Sequence, residues 1–332
     1  MIQTLTTLCT TFGPSGSEGE VAQVIEQLAR PYVDEVTRDT LGNLICRKKG
    51  PGPRLMFSAH MDSIGLVVTH IDEKGFLRVG AIGGVNADAV VNTPVRFQNG
   101  TCGVIAAQVG STPGKRTMAD LYLDIGVSSQ EEAQQLVQIG DVAVYHTPVV
   151  SVQNMITGPY MDNRISCLVL LKAMEKLQDC PNDVYFVFST QEEVGLRGAK
   201  TAAWSIDPHY GVAVDVTSED GQPGAKHTAS SLAGKGAAVK VMDRSVICHP
   251  YMVNLLMDLA QEHHIAAQRD VIQAGGTDAG VIHQTRGGVC TGGISIPCRY
   301  VHTPCEMVSM QDVQACIDLV AALAQTTLQK EC

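Results

Sequence analysis

Proline is scarce, with 14 residues, and charged residues make up only 17% of the 332-residue chain. With hydrophobic residues at 45%, that balance excludes a disordered or fibrous chain and describes one able to bury a core. Basic residues are also few: 24 against 34 acidic give a net charge of −10. Beyond Arg47-Lys48-Lys49 they do not cluster, so the electrostatic footprint of a nucleic-acid binder is missing. No apolar run approaches the ~20 residues of a transmembrane helix. Met1-Ile2-Gln3-Thr4-Leu5 lacks the basic start and apolar core of a signal peptide, so the expectation is a cytoplasmic protein without a membrane partner. There is no Cys-x-x-Cys pair. The eleven cysteines, odd in number and scattered from Cys9 to Cys332, read as reduced thiols, most of them small core residues such as Cys167. A zinc-thiolate site or a cysteine nucleophile is the minor reading.

The organisation is that of an α/β protein with an insertion, because 332 residues exceed what one core usually supports. Ser17-Glu18-Gly19-Glu20 reads as a capping box before Val21, Val24, Ile25 and Leu28 at helical spacing, a helix running to about Pro31. Strand-like pieces follow around Leu41-Gly42-Asn43, and the apolar run 54–59 predicts a buried strand that delivers His60 at its carboxyl end. From 66 to 156 the texture is short β-runs between turns, with the hairpin signal Asn99-Gly100 and one helical stretch near 130–139. This is the expected β-rich insertion, leaving 1–65 and 157–332 as the catalytic α/β domain. Strands and helices then alternate: a helix over 164–177, inner strands at 184–188 and 211–214, a helix near 249–264, strands near 268–273 and 293–297, and a last helix from about Gln311, with Ser309 and Asp312 as its capping pair.

Acidic and imidazole side chains fall just after the buried strands: His60 and Asp62, Glu192 and Glu193, Asp215, and His302, with Asp162 ahead of a helix. Ligands collect at the carboxyl ends of strands in open α/β sheets, so these groups are expected to converge. Taken singly each has an innocent role: a core histidine, a helix N-cap, a turn acceptor. Together they would repel and stay undersolvated without a cation among them. Nitrogen and oxygen ligands without thiolate suit zinc, with cobalt or manganese as alternatives. A two-ion clamp needs a bridging carboxylate and metals ~3.5–4 Å apart, and one further carboxylate must stay unbound to deprotonate water.

Six segments then carry a resemblance: His60-Met61-Asp62-Ser63-Ile64-Gly65, Met161-Asp162-Asn163-Arg164, Gln191-Glu192-Glu193-Val194-Gly195-Leu196-Arg197-Gly198-Ala199, Ala213-Val214-Asp215-Val216-Thr217, Gly275-Gly276-Thr277-Asp278-Ala279-Gly280, and Ile296-Pro297-Cys298-Arg299-Tyr300-Val301-His302-Thr303-Pro304. In this order and over nearly the full length, the chain resembles the tetrahedral aminopeptidases, also called the glutamyl aminopeptidase or cellulase-M family. The resemblance implies a zinc-exopeptidase-like mixed sheet covered by helices, with an inserted small β-barrel. It implies two divalent ions, one on His60 and Asp215, the other on Glu193 and His302, with Asp162 bridging. Glu192 is then the general base and Asp62 orients His60. Short peptides are the implied substrates, and self-assembly up to a hollow dodecamer the implied quaternary state. Thr277 and Asp278 are expected to shape the pocket or a subunit contact. Many relatives carry an acid where Ser63 stands, and 218–224 fits the usual glycine-proline turn only loosely. His70, His146, His227, His249, His263, His264 and His283 sit in no matching motif.

Three other readings keep the same residues: a related metal amidohydrolase such as a deacylase or carboxypeptidase, a glycosidase, and a non-catalytic peptide-binding shell. Adjacent Glu192 and Glu193 are poorly placed to flank a sugar at ~5–9.5 Å.

Overall fold

The computed structural model describes residues 1–329. Helices α1 (Ile2–Thr10) and α2 (Gly19–Ala29) lead into strands β1 (Glu35–Arg38), β2 (Leu44–Lys48) and β3 (Arg54–His60). The chain then leaves for a closed barrel of β4 (Gly65–Ile71), β5 (Leu77–Ile82), β6 (Pro94–Phe97), β7 (Cys102–Ala107), β8 (Leu121–Asp124) and β9 (Val142–Tyr145). Around the barrel the order is β4-β5-β8-β7-β6-β9, and α3 (Gln130–Leu136) precedes the last strand. A hairpin of β10 (Val150–Val152) and β11 (Met155–Gly158) leads back. There follow α4 (Met161–Met174), β12 (Asp183–Ser189), α5 (Arg197–Ile206), β13 (Tyr210–Ser218), β14 (Ala237–Met242), α6 (Pro250–Glu262), β15 (Ala267–Val271), α7 (Ala279–Ile282), β16 (Cys290–Arg299), β17 (Glu306–Ser309) and α8 (Met310–Gln325).

One 11-stranded mixed sheet runs β1-β2-β12-β3-β13-β16-β17-β11-β10, with β14 and β15 branching from β16. Its centre, β12-β3-β13-β16, is parallel. These strands are apolar on both faces because both faces are covered. On one side α1, α2, α4, α6 and α8 close the main core, where α4 is buried almost throughout. On the other side, Ala199, Ala202, Ala203 and Ile206 of α5 and Ile282 of α7 pack on Met56 and Val187. Phe57 and Phe186 face each other across the β3–β12 ladder and stack with centroids 5.4 Å apart. The barrel has a core of its own, including Leu66, Phe97, Ile105 and Leu123.

Local details depart from expectation where a carboxylate has a long-range partner. No side-chain cap forms at Ser17; Glu18 precedes α2 and its Oε1 accepts the N–H groups of Gly16 and Gln191. At α8, Ser309 makes no cap, and Asp312 accepts from the N–H groups of Gly234 and Gly236. The 150–158 hairpin, read as the end of the insertion, pairs through β11 and β17 into the large sheet. Nine cysteines are free among the described residues. No helix of the described residues is long and apolar enough to cross a membrane.

Candidate metal centre

The parallel register decides what meets at the carboxyl edge of the sheet. His60 ends β3 beside Ser189, the last residue of β12, so the loop after β12 carries Glu192 and Glu193 over the imidazole. On the other side Ala213 of β13 pairs with Ser58, which sets Asp215 level with His60. Asp162 starts α4 in a non-helical conformation, and its peptide bond to Asn163 is cis. His302 lies in the loop between β16 and β17 with φ 63°, a left-handed backbone that costs a non-glycine residue and is typical of functional loops.

These side chains form two triads that share Asp162: His60, Asp162 and Asp215, then Asp162, Glu193 and His302, with ligand atoms in each within 4.8 Å of one another. His60 Nε2 lies 3.0 Å from Asp162 Oδ1 and 3.7 Å from Asp215 Oδ1. His302 Nε2 lies 3.3 Å from both Asp162 Oδ2 and Glu193 Oε2. The two oxygens of Asp162 thus face different imidazoles. Glu192 belongs to neither triad, and its Oε2 is 3.8 Å from His60 Nε2.

Electrostatically the cluster is short of cations. Burial raises the pKa of Glu192 well above the usual carboxylate range, the charges of Asp215, Glu193 and Asp278 adding to the effect against His60. Burial raises Asp215 and Glu193 as well, each with Asp162 adding to it. Burial works against a charged imidazole at His60, yet Glu192, Asp162, Asp62 and Asp215 hold its pKa well above the ordinary value. His302 is likewise pushed up to about 12 by Asp162 and Glu193, against its burial. Asp162, despite burial, is held well below the usual range by contact with His302 and His60. Protons and imidazolium charge here do what a cation would do better. Glu193 Oε1 is buried without a hydrogen-bond partner, an acceptor of the kind a metal ion satisfies. The donors are all nitrogen and oxygen, a set that fits zinc, cobalt or manganese.

Two fully buried carboxylates fix the frame. Asp62 accepts the N–H groups of Glu192 (3.0 Å) and Glu193 (3.2 Å) and the Ser15 hydroxyl (2.6 Å). Its Oδ1 lies 3.4 Å from His60 Nδ1, longer than its bonds from the two amides, so Asp62 holds the glutamate loop more firmly than the imidazole. Glu306, which no motif flagged, accepts the N–H of Asp162 at 2.9 Å and that of His302 at 2.7 Å. The barrel contributes as well: His302 Nδ1–H donates to Gly84 O at 3.1 Å, and a Cβ at Gly84 would sit 2.5 Å from that nitrogen. Only glycine admits this approach.

All seven expected site residues therefore gather around one cavity of about 590 Å³ or directly beneath it. Thr277 lines the cavity wall, whereas Asp278 lies below, accepting the hydroxyls of Ser58 and Ser189 at 2.6 Å each. Ser63 is buried, 3.5 Å from Gly13 O, away from the cavity. None of the eight histidines outside the motifs, His209 included, lines it.

The family model of the M42 glutamyl aminopeptidases matches residues 42–319. A provisionally named aminopeptidase of Acetivibrio thermocellus is 45% identical over 309 residues, 93% of either chain. An aminopeptidase of the archaeon Desulfurococcus kamchatkensis is similar in structure, with a TM-score of 0.94 at 36% identity over 98% of this chain and 94% of that one. The TET1 peptidase of Pyrococcus horikoshii, which can assemble into a tetrahedron or a large octahedral shell, has a TM-score of 0.88 at 29% identity, covering 97% and 98%. Peptidases of this family are metal-dependent. The α/β sheet with its closed barrel and the convergence of the motif residues agree with these matches, and the chain belongs to the M42 family of tetrahedral, or glutamyl, aminopeptidases, as a metallo-aminopeptidase.

Proposed function

We propose that the protein removes the amino-terminal residue from short peptides with a dinuclear centre: His60 and Asp215 hold one divalent ion, Glu193 and His302 the other, and Asp162 bridges them. The observation that carries this reading is Asp162 itself, with Oδ1 toward His60 and Oδ2 toward His302. Zinc is the first candidate for the donor set, with cobalt or manganese accepted by the same atoms.

When bound, such ions supply Lewis-acid polarisation of the scissile carbonyl and make water acidic enough to attack near neutral pH. The protein's part is proton transfer and alignment. Glu192 is the carboxylate left over: it takes the proton of the attacking water and delivers it to the departing amine. Asp62, by holding the Glu192 and Glu193 amides, keeps the base and its neighbouring ligand at fixed separation. The catalytic unit of this proposal is residues 1–65 with 157–332, and 66–156 is the inserted unit. A homo-oligomer in the cytoplasm, up to a dodecamer, completes the reading, its assembly supported by the shell-forming neighbour.

The test is metal analysis beside a panel of aminoacyl reporters and N-acetylated peptides. Wild-type protein should carry two ions per chain and spare the blocked peptides. Glu192→Gln should keep both ions and lose turnover by on the order of 10²–10⁴. A variant that turns over at the wild-type rate removes Glu192 from the mechanism.

A further inference from the structure

We infer that Asp243 makes the pocket for the first residue selective for cationic side chains, lysine or arginine. This rests on the aminopeptidase reading and adds a substrate class to it.

Outside the proposed metal ligands and Glu192, the cavity wall carries two charged side chains, Lys240 and Asp243. Lys240 is already committed. Its ammonium lies 2.5 Å from Asp270, which is fully buried, and donates to Thr217 Oγ1 at 3.1 Å. Turning it toward a substrate carboxylate would strand the Asp270 charge in the interior, a cost that disfavours the move. The wall's positive charge is therefore cancelled from behind.

Asp243 is the opposite case. It is 5% exposed, and no lysine, arginine or histidine among the described residues forms an ion pair with it. Its Oδ1 is spent on the local turn, accepting the N–H of Ser245 at 2.6 Å, the Ser245 hydroxyl at 2.7 Å and the N–H of Val246 at 2.9 Å. Its Oδ2 has only the Thr277 hydroxyl, at 3.5 Å. A nearly buried carboxylate with one oxygen fixed and the other almost unused calls for a cation from outside the chain. A lysyl or arginyl side chain entering the cavity supplies it through a charge-assisted hydrogen bond. A glutamyl or aspartyl side chain meets an unscreened negative charge and a lysine that is already paired, so acidic first residues are rejected by repulsion.

The experiment uses the full chain loaded with zinc and lysyl, arginyl, alanyl and glutamyl reporters. Lysyl and arginyl reporters should exceed glutamyl by at least about tenfold in kcat/KM, the value of one charged hydrogen bond. Asp243→Asn keeps an Oδ1 for the turn and removes the charge. The lysyl-to-alanyl ratio of kcat/KM should then fall by about 10–100-fold, through KM more than kcat. As a check independent of the variant's folding, free L-lysine should inhibit the wild-type alanyl reaction more strongly than L-glutamate. A preference for glutamyl reporters, an unchanged ratio in Asp243→Asn, or tighter inhibition by glutamate overturns the assignment while leaving the aminopeptidase standing. If the wild type turns over none of the reporters, both fall together.

Discussion

Glu306 and Asp62 are acceptors for backbone, each gripping two N–H groups of site residues. Ligand side chains can only be as well placed as the main chain that carries them, which makes such acceptors part of the metal centre's stiffness. Replacing Glu306 by Gln keeps the shape but turns one acceptor into a donor facing an N–H. Glu306→Gln is expected to lose about 1–3 kcal/mol in equilibrium unfolding and to weaken metal binding by about 10–100-fold in a chelator competition. Unaltered metal affinity would show that the amides of Asp162 and His302 hold their places without it. Asp62 was legible in the sequence because the His-x-Asp spacing after a strand is itself a pattern. Glu306 was not, since a glutamate opening a strand is ordinary until its partner, 144 residues earlier, is known. Gly84 was invisible for a similar reason: in sequence it belongs to a glycine pair in a turn, and only its approach to His302 gives it meaning.

At the level of elements, the sequence speaks most clearly where burial is two-sided. The runs around Phe57 and Phe186 have no polar face, which is why β3 and β12 could be placed in the sheet interior before any register was known. Their stacked rings hold together the two strands that deliver His60 and the glutamate loop. Phe57→Ala should cost about 3–5 kcal/mol in denaturant unfolding, with activity lost through stability rather than chemistry. A loss under about 1 kcal/mol would mean the site's strands do not depend on that contact. The hairpin of β10 and β11 was hard to assign because short β-runs look alike whether they close a barrel or extend a sheet. Its allegiance is set by Met155 to Gly158 pairing with Glu306 to Ser309, contacts about 150 positions apart that no local pattern encodes. Capping boxes misled for the opposite reason: the spacing was present at Ser17 and Ser309, yet Glu20 accepts from the Gln98 side chain and Asp312 from the distant Gly234 and Gly236 amides.

For the molecule as a whole, the proposed centre concentrates negative charge that folding alone does not balance. Asp162, Glu192, Glu193 and Asp215 crowd one end of a cavity in a chain already at −10. Ions bound to the folded state and absent from the unfolded one stabilise by mass action, about 2.7 kcal/mol at a hundredfold excess over Kd. Exhaustive chelation should therefore abolish peptidase activity and lower Tm by at least about 3 °C, and zinc should restore both. A melting curve indifferent to chelator would mean that the carboxylates are accommodated without a cation.

The carbonyl of Gly84 belongs to the loop joining two barrel strands, yet it steers an imidazole rooted in the sheet. Trimming away the barrel would accordingly not leave a smaller working peptidase. Gly84 would be lost from the cavity lining, and His302 would be left to swing.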